Sequence, residues 1–263
     1  MNVRRFLDGL RASGYGRRIV HIEEMPPRAA RYAQLSTPLP AALRETLGRQ
    51  GVSCFYTHQV QAIELALKGR DVVVATGTAS GKTLCYNVPV LVRLLEDFRR
   101  RALYLFPTKA LAQDQLRALG ELTDHPLLRR VVFATYDGDT PRHVRGRLRR
   151  RAHIVLTNPD MLHVGILPNH QRWSAFFSRL TYVVIDEAHA YRGVFGSHVA
   201  CLLRRLWRLC ALYGARPTVV AASATIGNPR EHVERLTGRR VDVVSQDGGP
   251  RGRRTLCCGT RPA

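Results

Sequence analysis

The stretch Val72-Val73-Val74-Ala75-Thr76-Gly77-Thr78-Ala79-Ser80-Gly81-Lys82-Thr83 decides the fold. Four apolar residues run without a polar break into a turn of Gly, Ser and Thr, and a helical pattern follows. A fully apolar strand that feeds a helix opens a βα unit, whose sheet is parallel and covered on both faces. The turn suits phosphate. Small residues let backbone N–H groups face an anion, the helix N-terminus adds partial positive charge, and Lys82 can reach the β and γ oxygens of a nucleotide. Thr83 follows where a hydroxyl could ligate Mg²⁺. The strict GxxxxGK[ST] pattern has glycine where this chain has Thr76, with glycine one position later, and a plain turn between strand and helix would read the same way.

Working outward, short apolar runs alternate with helical stretches. Strands are expected at 71–75, 102–106, 131–135, 153–156, 182–185, 218–221 and 240–244, and helices at 82–97, 110–119, 141–151, 197–212 and 229–236. That alternation predicts a three-layer α/β domain over residues 55–245. Residues 1–54 read as an N-terminal extension, with short helices at 3–10 and 41–47 between proline-broken stretches. Residues 246–263 are Gly, Arg and Cys without periodicity and read as an irregular, disordered tail.

A second chemical site follows Tyr182-Val183-Val184-Ile185, which ends in Asp186-Glu187-Ala188-His189. An apolar strand delivers two carboxylates at its C-terminal edge, where a parallel sheet places its ligand crevice. Asp186 is placed to hold the Mg²⁺ of a bound nucleotide, and Glu187 to orient and deprotonate an attacking water. Taken alone, the tetrapeptide could equally be solvated acids at a helix start.

The 263 residues carry 41 Lys or Arg against 20 Asp or Glu, a formal charge of +21, and only Lys68, Lys82 and Lys109 are lysine. Arginine forks grip phosphate in pairs of hydrogen bonds, so this surface would attract nucleic acid; codon bias in a GC-rich genome would give the same excess. Arg142, Arg145, Arg147, Arg149, Arg150 and Arg151 point in several directions on a helix, which fits a solvated face or a non-specific phosphate patch. No apolar run approaches the roughly 18 residues of a membrane span. The six cysteines show no metal-ligand spacing, so no zinc is expected in this chain, and they read as reduced in a cytoplasmic protein.

In order along the chain, the segments look like the motifs of one family: the superfamily 2 DEAD/DEAH-box helicases, and specifically their first RecA-like motor domain. Tyr56-Thr57-His58-Gln59 resembles the glutamine motif and Thr76 to Thr83 motif I. Pro107-Thr108-Lys109-Ala110-Leu111-Ala112-Gln113 resembles motif Ia, Thr157-Asn158-Pro159-Asp160-Met161-Leu162 motif Ib, Asp186 to His189 motif II and Ser223-Ala224-Thr225 motif III. The loop Tyr136 to Thr140 and the run Tyr191 to His198 look more like the bacterial MrfA/YprA-type DNA helicases. The resemblance implies ATP and Mg²⁺ as cofactors, single-stranded or tailed DNA as partner, and hydrolysis coupled to translocation, with 3′ to 5′ movement implied by that branch.

Each motif also has its own chemistry. Gln59 offers the donor and acceptor that match adenine N6 and N7, and Tyr56 could stack nearby, although a Gln at a helix start needs no such role. Pro107, Thr108, Lys109 and Gln113 stand after a strand, where hydroxyl, amide and ammonium can grip a phosphodiester backbone or merely cap a helix. Thr157 and Asp160 could touch the strand or cap the next turn. Ser223 and Thr225 could relay the nucleotide state, and His189 could bond across to them.

The same resemblance implies a second motor domain with an arginine finger, and a cysteine-rich zinc domain; neither fits in the residues after Ser223. The chain is therefore expected to be a truncated helicase. One back-translation of Leu256 to Pro262, read two bases on, gives Val-Leu-Trp-Asn-Pro-Pro, as a single-base frameshift would. Its alternative function is a nucleotide- and nucleic-acid-binding module with negligible turnover, because an arginine finger is worth about 10³ to 10⁵ in rate.

Overall fold

The computed structural model describes residues 3–13 and 18–259. Contacts divide the chain into two units, residues 32–248 and residues 1–31 with 249–263.

The larger unit is built on a seven-stranded sheet. In chain order the strands of the molecule are β1 (Ile19–Met25), β2 (Tyr32–Ala33), β3 (Phe55–Tyr56), β4 (Val72–Ala75), β5 (Arg101–Leu105), β6 (Phe133–Thr135), β7 (Ile154–Thr157), β8 (Leu180–Ile185), β9 (Thr218–Ser223), β10 (Asp242–Val244) and β11 (Arg254–Gly259). The sheet order is β10-β4-β9-β8-β5-β7-β6, and every pairing in it is parallel. Strand residues alternate between two cores. Val72, Val74, Tyr104, Tyr182 and Val220 face one, against the helices Thr57–Leu67, Lys82–Glu96 and Lys109–Leu122. Val73, Leu103, Leu105, Val183 and Ala221 face the other, against Gly193–Leu212, Pro229–Thr237 and a run of short helical turns between 159 and 177. Burial on both faces explains why the middles of these strands are apolar, with polar residues such as Arg101, Thr218 and Asp242 at their ends, each fully buried Val or Leu contributing about 1.5–3 kcal/mol.

Parallel strands share one C-terminal edge. The segments after β4, β5, β7, β8 and β9 therefore emerge side by side, and these are the segments singled out by sequence. The helix Ala41–Arg49, expected in the extension, contributes Leu43 and Leu47 to the first core. Of the helix Thr57–Leu67 only a start at Gln59 was considered from sequence, and the short helical turns at 159–177 were not assigned.

The smaller unit corrects the expectation of an irregular tail. β11 pairs antiparallel with β1, from Met25 opposite Arg254 to Ile19 opposite Gly259, and an isolated bridge joins Arg28 to Arg251. Cys257 and Cys258 lie in β11 and are exposed. The pairing uses backbone groups of a distant strand, which no local periodicity can reveal. Residues 260–263, also assigned to the tail, lie outside the described residues. No helix among the described residues is long and apolar enough to cross a membrane.

Candidate nucleotide and nucleic-acid site

The loop 76–81, the candidate phosphate loop, leaves β4 and enters the helix Lys82–Glu96. Thr76 and Ser80, both buried, share a hydroxyl hydrogen bond of 2.7 Å across the loop. Lys82 Nζ donates to the carbonyls of Thr76 at 3.0 Å and Gly77 at 2.7 Å. Two residues take left-handed backbone, Ala79 at φ 60° and Gly81 at φ 75°. At Gly81 a Cβ would stand 2.5 Å from Gln59 Nε2, so glycine is required there by conformation and by space.

Gln59 is buried and fastened at both ends: Oε1 accepts from the Tyr56 N–H at 2.9 Å and Nε2 donates to the Gly81 carbonyl at 3.0 Å. The amide pair that the sequence offers to adenine is thus engaged within the chain, locking the start of one helix to the phosphate loop. Beside it His58, also buried, bonds through Nε2 to the Ser80 carbonyl at 3.0 Å. The Tyr56 ring stacks between Tyr32 (5.4 Å) and His58 (5.9 Å).

The acids follow β8. Asp186 N donates to Leu105 O at 2.9 Å, which continues the sheet and fixes where the carboxylate begins. Its Oδ1 accepts from the Glu187 N–H at 2.8 Å and its Oδ2 from the Tyr86 phenol at 2.9 Å. Burial holds this carboxyl above the usual carboxylate range, partly offset by those donors. Thr83 stands three residues before Tyr86 on the same face of this helix, which brings its side chain to the side of the phenol that binds Asp186. A hydroxyl and a desolvated carboxylate are the hard oxygen donors that fit a divalent cation such as Mg²⁺.

Glu187 sits in left-handed backbone, φ 49°, and its Oε2 lies 3.2 Å from His189 Nδ1. The Ala224 N–H reaches the same nitrogen at 3.1 Å. One ring nitrogen cannot donate to Glu187 and accept from Ala224 together, so the two contacts compete. Ser223 is buried and donates to the Ala224 carbonyl at 2.9 Å, whereas Thr225 is exposed.

On the neighbouring edge Thr108 caps the helix Lys109–Leu122 after half-buried Pro107. Exposed Gln113 reaches the Thr135 hydroxyl at 3.4 Å. Lys109 Nζ stands 2.7 Å from Asp139 Oδ2, and that hydrogen bond raises the ammonium above its usual value. Thr157 is buried and donates to the Tyr136 carbonyl at 2.6 Å, so its hydroxyl serves the sheet edge rather than facing outward. Asp160 is exposed on the first turn after β7, but the cap is Asn158, which accepts from Met161 N at 2.8 Å. The loop after β6 is held by Asp137, whose Oδ1 takes the N–H groups of Asp139 and Thr140, and by Arg145, which donates to the carbonyls of Asp137, Gly138 and Thr140. Arg145 is therefore structural. Among the described residues, Arg142, Arg147, Arg149, Arg150 and Arg151 have no carboxylate within salt-bridge distance.

Sequence reasoning gave no role to Tyr86, His58 or Asn158, and it read Arg145 as part of a solvated face or phosphate patch where the structure uses it to hold the 137–140 loop. Tyr86 alone left a usable signal: it stands three residues after Thr83, on the same face of the helix.

A sequence profile of the DEAD/DEAH box helicases matches residues 56–233. The chain belongs to the DEAD/DEAH box helicase family. Among curated relatives it is 48% identical over 236 residues to the uncharacterized ATP-dependent helicase YprA of Bacillus subtilis, covering 90% of this chain and 31% of YprA. It is 39% identical over 252 residues to the ATP-dependent helicase HRQ1 of Saccharomyces cerevisiae, covering 94% of this chain and 23% of HRQ1. A crystal structure of the helicase MrfA bound to DNA superposes with a TM-score of 0.93 at 44% identity, over 100% of this chain and 37% of MrfA. The RecA-like helicase fold is thus established, and the chain spans about a third or less of the length of these relatives.

Proposed function

We propose that this chain is the ATP-binding motor domain of an ATP-dependent DNA helicase, holding ATP–Mg²⁺ on the phosphate loop and single-stranded DNA along the neighbouring strand edge. The observation that carries the reading is the convergence of Lys82, the Tyr86–Asp186 hydrogen bond and Glu187 at the C-terminal ends of β4 and β8, on one edge of the sheet. Loop N–H groups and Lys82 hold the phosphates, while Thr83 and Asp186 hold the Mg²⁺, whose charge offsets that of the leaving phosphate. Glu187 orients the attacking water and takes its proton, and His189 connects that carboxylate with the segment Ser223 to Thr225. Thr108, Lys109, Gln113 and Asp160 line the path of the DNA; DNA rather than RNA follows from likeness to MrfA, whose structure holds DNA.

Nucleic-acid-stimulated ATP hydrolysis by the purified chain tests this, with Lys82→Ala and Glu187→Gln as controls. DNA-dependent turnover above both controls is expected of a self-sufficient motor. Nucleotide and DNA binding without turnover assigns the chain to the binding half of a two-domain motor, whose partner would supply the arginine finger. Binding of neither ligand overturns the proposal.

A further inference from the structure

Two consecutive side chains of one helix hold two consecutive carbonyls of the phosphate loop. His58 Nε2 meets Ser80 O at 3.0 Å and Gln59 Nε2 meets Gly81 O at 3.0 Å. With both carbonyls turned toward the helix Thr57–Leu67, the peptide planes of the loop are fixed, and the N–H groups that follow them are turned away from that helix. His58 also has a second attachment. The Gly248 N–H donates to its Nδ1 at 3.1 Å, which makes Nδ1 the acceptor and places the ring proton on Nε2, where it is given to Ser80. Asp247, the residue before, brings Oδ1 to 3.8 Å from the same Nδ1. Its Oδ2 lies 3.4 Å from where a Cβ on Gly77 would stand. The segment 245–248 after β10 thus lies against the phosphate loop, joined to it through one buried imidazole.

We propose that His58 is a positioning residue that links nucleotide binding at the phosphate loop to the conformation of residues 245–248. This rests on the reading of the loop as a nucleotide site and adds a second line of communication, separate from the one through His189. The ring has one donor and one acceptor, and both are committed. A shift of the Ser80 carbonyl on phosphate binding moves the imidazole, and with it the only attachment that Gly248 N makes among the described residues. By reciprocity, displacement of 247–248 loosens the loop and weakens nucleotide binding by the same factor.

The test titrates MgADP into the full chain by calorimetry and follows hydrogen exchange in the peptide covering 245–248. His58→Ala removes both bonds. Gly248→Pro removes only the donor, at a residue whose φ is not positive, and leaves every side chain of the loop in place. Each is expected to weaken MgADP by roughly tenfold, and the double variant no more than either alone, as for one shared linkage. His58→Asn and His58→Gln, which each preserve one of the two bonds, should both fail to restore wild-type affinity. In the wild type MgADP slows exchange at 245–248, and in His58→Ala it does not. Losses that add, wild-type affinity in Gly248→Pro, or exchange at 245–248 that ignores MgADP would each overturn the proposal. Should His58→Ala fail to fold, Gly248→Pro and the wild-type exchange data still decide it. A wild-type chain that binds no MgADP defeats the nucleotide-site reading itself; binding with additive losses defeats only this inference.

Discussion

The Tyr86 phenol donates to Asp186 Oδ2 at 2.9 Å, joining the phosphate-loop helix to the acid that follows β8. A buried carboxylate that loses a donor keeps its desolvation cost, so Tyr86→Phe is expected to destabilise the chain by about 1–3 kcal/mol. Urea unfolding at neutral pH measures this. The same variant should weaken Mg²⁺-dependent nucleotide binding more than binding without metal, because the Asp186 carboxylate is then no longer held by the phenol.

The two left-handed residues of the loop should respond differently. Gly81→Ala meets Gln59 Nε2 and an unfavourable φ worth about 1–2 kcal/mol, so nucleotide binding and thermal stability should both fall. Ala79→Gly removes a backbone cost of that same order and adds about 0.5–1 kcal/mol of chain entropy, so its stability should stay within about 1 kcal/mol of the parent. A pair of melting curves separates the two.

Lys109 is already occupied by Asp139 at 2.7 Å, and a phosphate must compete with that carboxylate. Asp139→Asn should therefore tighten single-stranded DNA binding at low salt and steepen its salt dependence, by up to one released counterion in the log–log slope. Lys109→Ala should flatten the slope. Fluorescence anisotropy over a salt series reads both, and equal slopes in all three proteins would remove Lys109 from the DNA path.

His153 gives the fold an acid-sensitive point. Burial, with Arg101 beside it, lowers its imidazole from the usual 6.5 to about 4. The unfolded chain then binds the proton first, so stability is present above about pH 6.5 and is lost as pH falls toward 4, with no further loss below. Nδ1 accepts from the Val132 N–H at 2.9 Å, and His153→Asn can supply an oxygen there. Denaturant midpoints across that window should fall less in the variant than in the parent.

Much of this site could be read before the fold was known. Val72 to Lys82 and Tyr182 to Glu187 were legible because a strand buried on both faces must be apolar throughout, and a phosphate turn must be built from small residues. Tyr86 and His58 were not. A phenol inside an apolar helix looks like core until Asp186 is seen beside it, and a histidine next to Gln59 has no visible partner until residue 248 returns to it. Thr157 was legible as a strand end but not in its orientation, because the choice between solvent and the Tyr136 carbonyl depends on the adjacent strand. β11 left no trace because its partner lies at the other end of the chain.

β9 lies between the strand that ends at the phosphate loop and the strand that ends at Asp186, bonded to both. Two interstrand steps of about 4.8 Å set the gap between the loop after β4 and Asp186. That gauge is made of peptide groups alone, so no side chain can lengthen or shorten it. Whatever side chains cover the exterior, arginine in excess among them, the spacing between the loop and the carboxylate stays where the backbone put it.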